Sequence, residues 1–189
     1  MVYTAASTRT RLIKPLLTKL INKLFLLTSA CSEWSGKIVS WLVLAMVVLV
    51  SYDVSMRYFF SSGSIALQEM EWHIFSFIFL LGAAYTLKHD DHVRLDLFYQ
   101  SRFMNDYRRA WVNLFGSIFM LLPFCILIIY CAWPFVNLSY ISVENSPDPG
   151  GLPYRWILKA VIPAGFALLL LQGISEILKN LGYILENRK

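Results

Sequence analysis

The apolar positions of this chain fall into four long runs separated by short polar stretches. They run from about Ile38 to Tyr52, extendable to Tyr58; from about Glu71 to Leu87; from about Ala110 to Trp133; and from about Trp156 to Leu178. A helix needs ~20 apolar residues to cross the ~30 Å hydrocarbon core of a bilayer. The third and fourth runs meet that length outright. The first meets it by taking in Asp53 and Arg57, which are four apart and can pair on one helix face. The pattern predicts an all-α integral membrane protein with four transmembrane helices, spanning about 38–58, 71–87, 110–133 and 156–178.

Ahead of these runs, Ile13, Leu16, Leu17, Leu20, Leu24 and Leu27 recur at helical spacing, with Lys19, Asn22 and Lys23 elsewhere on the wheel. This predicts an N-terminal amphipathic helix lying in the membrane interface. A cleavable leader ending before Cys31 is the rival reading, but the apolar stretch is short, the basic lead is long, and leucine is missing from the lipobox position. The expected organisation is a basic interfacial segment over 1–36, a four-helix membrane domain over 37–180 and a tail over 181–189.

Composition agrees. Hydrophobic residues make up 57% of the 189-residue chain and charged residues 15%, against roughly 25% charged in soluble domains. The formal net charge is +5, but the basic residues flank the apolar runs rather than forming one basic domain. That argues against nucleic acid as a partner and for the lipid bilayer. Of the 17 lysines and arginines, all but Arg57, Arg155 and Lys159 fall before the first run, between the second and third, or after the fourth. The positive-inside rule then places both termini in the cytoplasm. Trp34, Trp41, Trp72, Trp111, Trp133 and Trp156 lie near the expected span ends, where the headgroup region favours tryptophan. Cys31, Cys125 and Cys131 show no disulfide or metal spacing, and buried thiols are expected.

No nucleophile, phosphate-binding or zinc-protease motif occurs, so no catalytic residue, cofactor or metal is assigned. His89 and His92 flank Asp90 and Asp91, but a solvated helix end outweighs a metal site there. His73 has no second histidine in another span to share a haem. Glu69, four residues before it, is placed to hydrogen-bond it. Glu69 and Glu71 precede the apolar part of the second run, where acids offset a helix dipole or meet a basic partner such as Arg57. Lys159 and Glu176 are expected to snorkel to the two interfaces. Gln172, Asn113 and Ser117 are expected to join helices through hydrogen bonds, and Gly82, Ala83 and Ala84 form a small-residue patch suited to close helix approach. Pro123 and Pro163 are expected to kink their helices.

The order of these pieces carries a family resemblance. Arg57-Tyr58-Phe59 is followed by Glu69, Glu71 and Trp72, then by Gly82-Ala83-Ala84, then by His92-Val93-Arg94-Leu95-Asp96. Ser146-Pro147-Asp148-Pro149-Gly150-Gly151-Leu152-Pro153 introduces the fourth run. From about Trp41 to Lys179 the chain resembles the small membrane subunit of tripartite ATP-independent periplasmic (TRAP) transporters, the DctQ-like family. The resemblance implies a bacterial inner-membrane subunit that braces a large multi-span permease. A periplasmic substrate-binding protein would deliver an organic anion, often a carboxylate, and a sodium or other ion gradient would drive uptake. It implies that Arg57, Glu69, Glu71, Trp72, Gly82, Ala83, Ala84, His92 and Asp96 are candidate interface residues. Two features depart from the family: Met70 separates the acids, and the basic N-terminal extension has no family counterpart. A haem- or quinone-associated membrane anchor of a redox complex is the alternative function.

Overall fold

The computed structural model describes the backbone of residues 2–89 and 105–186, with side chains at Leu26, 28–89 and 105–185. All regular structure among the described residues is helical. Helix α1 is Val2–Phe60, α2 is Ile65–Lys88, α3 is Asp106–Gly116, α4 is Leu122–Ile141 and α5 is Trp156–Glu186. A π-helical turn, Ser117–Leu121, joins α3 to α4, so these two form one span. Four stretches are long and apolar enough to cross a membrane: Thr28–Phe60, Ile65–Lys88, Asp106–Ile141 and Trp156–Leu185.

The four expected spans are therefore present, but their limits move. The second begins six residues earlier than its apolar run, because Ala66, Leu67, Gln68 and Glu69 are all tolerated in a helix that has neighbours to pair with. Glu69 and Glu71 consequently lie in the second turn of α2, whose first turn holds no acid, and neither sits at the helix N-terminus. The third span runs on to Ile141 past Pro134. The fourth runs on to Glu186, through most of the expected tail.

The N-terminal segment is helical, as its periodicity predicts, but no break separates it from the first span. Gly36 lies inside the continuous α1 helix. In the fold it is a notch: a Cβ built there would lie 2.2 Å from Cδ2 of Tyr85. The ring of Tyr85 packs close against the α1 backbone there, and the helix passes through. Pro163 likewise stays inside α5. Pro123 acts differently. Its ring has no N–H and crowds the carbonyl four residues back, which is Phe119, inside the π-helical turn. The wider turn relieves that crowding without ending the span.

Helices α1 and α2 pack antiparallel, as do α4 and α5, while α2 packs on α5 rather than on the third span. On α1 and α2, Gly36 meets Tyr85 and Val39 meets Gly82. On α4 and α5, Phe124 stands edge-on to Phe166 and Tyr140 edge-on to Trp156, at 5.8 and 5.4 Å between ring centres. Helix α5 touches all four other helices and is the centre of the bundle. It can do so because it is narrow where contact is closest. A Cβ at Gly165 would lie 2.8 Å from the Leu80 carbonyl oxygen, so α2 and α5 meet backbone to backbone there.

The interior is made mostly of small and polar side chains, with Leu114, Val161 and Ile184 as the larger apolar exceptions. Ala84, Ala110, Cys125, Ala132, Ser32, Ser35, Ser139, Ser175, Gln172 and Asn180 are buried, while Trp41, Val48, Phe79, Phe119, Tyr130 and Leu138 are exposed. A soluble protein shows the reverse arrangement. In lipid the hydrocarbon tails are as apolar as leucine, so large apolar residues gain nothing by turning inward, and small residues let backbones approach. Cys125 follows the expectation of a buried thiol, whereas Cys31 and Cys131 are exposed.

Candidate functional site

The bundle has two ends. One carries the Phe60–Ile65 and Ile141–Trp156 connections and is called the loop face. The other holds the C-terminus of α2 and the N-terminus of α3 and is called the terminal face. The ionisable groups gather at both ends, and several are bound to residues far away in sequence.

On the loop face, Glu69 does not bond its side chain to His73. His73 Nδ1 lies 2.6 Å from the Glu69 backbone carbonyl instead, which is the ordinary i to i+4 reach along a helix. The Glu69 carboxylate points across the bundle. Its Oε1 accepts from Ser146 Oγ and its Oε2 accepts from the Leu152 N–H at 2.6 Å. The side chain is almost wholly buried, at 8% exposure. The segment it holds is ordered by its own hydrogen bonds. Ser146 N–H donates to Leu152, Arg155 N–H to Glu144 and Gly151 N–H to Asp148. Gly151 is required for the clasp, since a Cβ there would meet Ser146 Oγ at 2.4 Å and Glu69 Oε2 at 2.7 Å.

Lys159 is not a freely snorkelling cation. Its Nζ donates to Glu144 Oε2 and sits 4.0 Å above the centre of the Phe135 ring. The hydrogen bond from Lys159 holds the Glu144 carboxyl below the usual carboxylate range. Glu144 thus ties the loop to α5 as Glu69 ties it to α2.

Between α1 and α2 on the same face lies a cavity of about 420 Å³ lined by Val50, Asp53, Val54, Arg57, Tyr58 and Glu71. The expected pairing is present: Arg57 Nη2 donates to Asp53 Oδ2 one turn back. With its amide oxygen facing the guanidinium, Gln68 of α2 also accepts from Arg57 Nη2 at 2.5 Å and Nη1 at 2.7 Å. Asp53 is only 2% exposed. Its Oδ1 and the Oε1 of Glu71 are buried without a hydrogen-bond partner among the described residues.

On the terminal face, Glu33 of α1 gathers the end of α2. Lys88 Nζ donates to Glu33 Oε1 at 2.7 Å and to the Ser29 carbonyl at 3.1 Å. His89 Nε2 lies 3.0 Å from the same Glu33 oxygen. His92 and Asp96, with Asp90 and Asp91 of the histidine–aspartate run, lie outside the described residues. His73 and His89 sit sixteen residues apart on α2, about 24 Å at ~1.5 Å per residue, so they do not share one haem iron. Deeper in the bundle, Ser32 Oγ donates to Gln172 Oε1 at 2.7 Å, joining α1 to α5. That is the interhelical role expected of Gln172.

Of the candidate interface residues, the structure brings Arg57 and Glu71 to one cavity and leaves Trp72 exposed beside them. Glu69 is engaged by the chain's own loop. Ala84 is wholly buried, and Gly82 looks toward Val39 of α1. The Gly-Ala-Ala patch therefore serves packing inside this chain at two of its three positions. Glu33, Ser32 and Glu144 escaped the sequence reading, and Ser146 and Leu152 entered it only as part of the stretch before the fourth run, not as partners of Glu69. Their partners lie between 15 and 140 residues away, and no local pattern marks such pairs.

No curated protein matches the chain. The family model described as "Tripartite ATP-independent periplasmic transporters, DctQ component" matches residues 46–182, well over half of the sequence. That stretch takes in the outer part of α1, the acid pair of α2, the loop clasp and nearly all of α5, and on it the chain belongs to the DctQ family, the small membrane subunits of TRAP transporters.

Proposed function

We propose that this subunit braces the large multi-span permease of its transporter and holds it in the bacterial inner membrane, with both termini in the cytoplasm. The complex takes up an organic anion, a carboxylate being the expected chemistry, delivered by a periplasmic substrate-binding protein and driven by an ion gradient such as sodium. The terminal face would then be cytoplasmic and the loop face periplasmic.

The observation that carries this reading is the way polar groups are used. Glu69 with Ser146 and Leu152, Glu144 with Lys159, Glu33 with Lys88, and Ser32 with Gln172 each tie one helix or loop to another. They cross-link the bundle at both ends and in its depth, while its large apolar side chains face outward. A frame stiffened internally and apolar externally suits a scaffold in lipid. The bias of lysine and arginine toward the terminal face supports the orientation.

The test is reconstitution of the complex in vesicles with and without this chain. Loss of organic-acid uptake on its omission, with uptake insensitive to ATP and abolished by collapsing the ion gradients, is the expected result. Undiminished uptake by the large subunit and binding protein alone would overturn the bracing role.

A further inference from the structure

We infer that the cavity between α1 and α2 on the loop face, lined by Asp53, Arg57, Tyr58 and Glu71, is a socket for a lysine or arginine side chain of the large permease subunit. This rests on the bracing role above and names one place where the two chains meet.

Charge is the first ground. The cavity holds two carboxylates, Asp53 and Glu71, and one guanidinium, Arg57. One negative charge is left over. Arg57 is already divided between Asp53 and Gln68. The other two cations of this face, Arg155 and Lys159, line a different cavity together with Phe75, Phe79 and Phe135.

Hydrogen bonding is the second ground. Asp53 Oδ1 and Glu71 Oε1 are buried acceptors without partners among the described residues, and Asp53 is 98% enclosed. A buried acceptor left unmet costs far more than a satisfied one gains, and more still when it is charged. A cation seated in the cavity offsets the charge of both carboxylates, and an ammonium or guanidinium brings several donors on one charged group.

Size and surroundings decide the kind of cation. About 420 Å³ is much larger than a bare ion and suits a long side chain. No group of three histidine, cysteine or acidic residues, the usual cage of a bare metal ion, gathers among the described residues. Val54 and Tyr58, which line the cavity, are exposed, as is Trp72, the residue after Glu71 in the chain. Exposed tyrosine and tryptophan beside a buried charge are the composition of a protein contact point.

The experiment uses the intact complex. A photo-crosslinking phenylalanine derivative replaces Tyr58, and Glu71→Gln and Glu71→Lys are made separately. Irradiation should join this chain to the large subunit, at a peptide containing lysine or arginine. Recovery of the large subunit with affinity-tagged small subunit should fall about tenfold or more in Glu71→Gln, as removal of one member of a buried charge pair does. It should fall further in Glu71→Lys, which fills the socket with its own cation. The thermal midpoint of either variant subunit alone in detergent should not drop. Adducts with lipid only, or full recovery of the large subunit with both variants, would overturn the socket while leaving the bracing role standing. If the wild-type chain fails to recover the large subunit at all, the bracing role itself fails.

Discussion

Glu69 of α2 and Leu152 of the Ile141–Trp156 connection are 83 residues apart in the chain, and the N–H of Leu152 donates to the Glu69 carboxylate at 2.6 Å. Ser146 donates to the other oxygen of the same group. The loop is thereby clasped to the helix by a charged acceptor. Glu69→Ala removes both contacts and leaves a buried N–H unmet. The isolated subunit should lose a few degrees of thermal midpoint in detergent, and proteolysis should find new cleavage around 146–153. Glu69→Gln keeps one acceptor and should lie between the two. An Ala variant as resistant to protease as wild type would show that the clasp does not order the loop.

The notch at Gly36 makes a second prediction. Gly36→Ala drives a methyl group into the Tyr85 ring, at 2.2 to 2.8 Å from three of its carbons. Overpacking of this kind costs ~1–3 kcal/mol. Tyr85→Ala in the same chain should remove most of the penalty of the glycine substitution. Additive losses in a double-mutant cycle would mean the two residues do not meet.

Ser32 and Gln172 should behave as a pair. Their bond of 2.7 Å joins α1 to α5 in the buried core. Interhelical hydrogen bonds in membranes contribute ~0.6 kcal/mol on average and up to ~1.7. Ser32→Ala should destabilise the subunit within that range, and adding Gln172→Leu should cost less than the sum of the two single changes. Unfolding in mixed micelles gives the three numbers needed.

Acid should loosen the loop through Glu144. Its carboxyl is held below the ordinary value of 4.5, first by the Lys159 hydrogen bond. A carboxyl whose folded value is depressed stabilises the fold above its unfolded value, and that stability is lost as pH falls through the folded value. The contribution of this pair to the thermal midpoint should therefore be full and independent of pH near neutrality and should decline below about pH 4.5. In Glu144→Gln that component of the decline should vanish, and the neutral-pH midpoint should be lower than in wild type. An unchanged acid limb in the variant would assign the decline to other groups.

Much of this protein is legible in its sequence because a bilayer imposes simple rules on a chain. The apolar runs give four spans, since every backbone polar group in lipid must be satisfied within a helix. The spacing of Asp53 and Arg57 gives their ion pair, since residues four apart on a helix are neighbours. The glutamine inside the fourth span gives an interhelical bond, since a polar amide in hydrocarbon needs a partner. Span limits are less legible. Hydropathy alone does not include Gln68 and Glu69 in α2, because the partners that make them acceptable, Arg57 and the 146–152 loop, come from elsewhere in the chain.

The sequence by itself thus determined the number of spans, the place of the basic residues and the family order of motifs, all of which depend on composition along one dimension. The tertiary structure decided what each ionisable group does. Glu69 is the clearest case. As a residue near the start of an apolar run it fits a dipole partner, a hydrogen bond to His73 and a contact with another chain equally well. Only the approach of Ser146 and Leu152 makes it an internal clasp. Glu71, two residues on, projects from a different side of the same helix and lines the cavity with Asp53. A helix turns about 100° per residue, so two acids separated by one methionine face different neighbours, and which neighbours these are is fixed by packing between segments far apart in the chain.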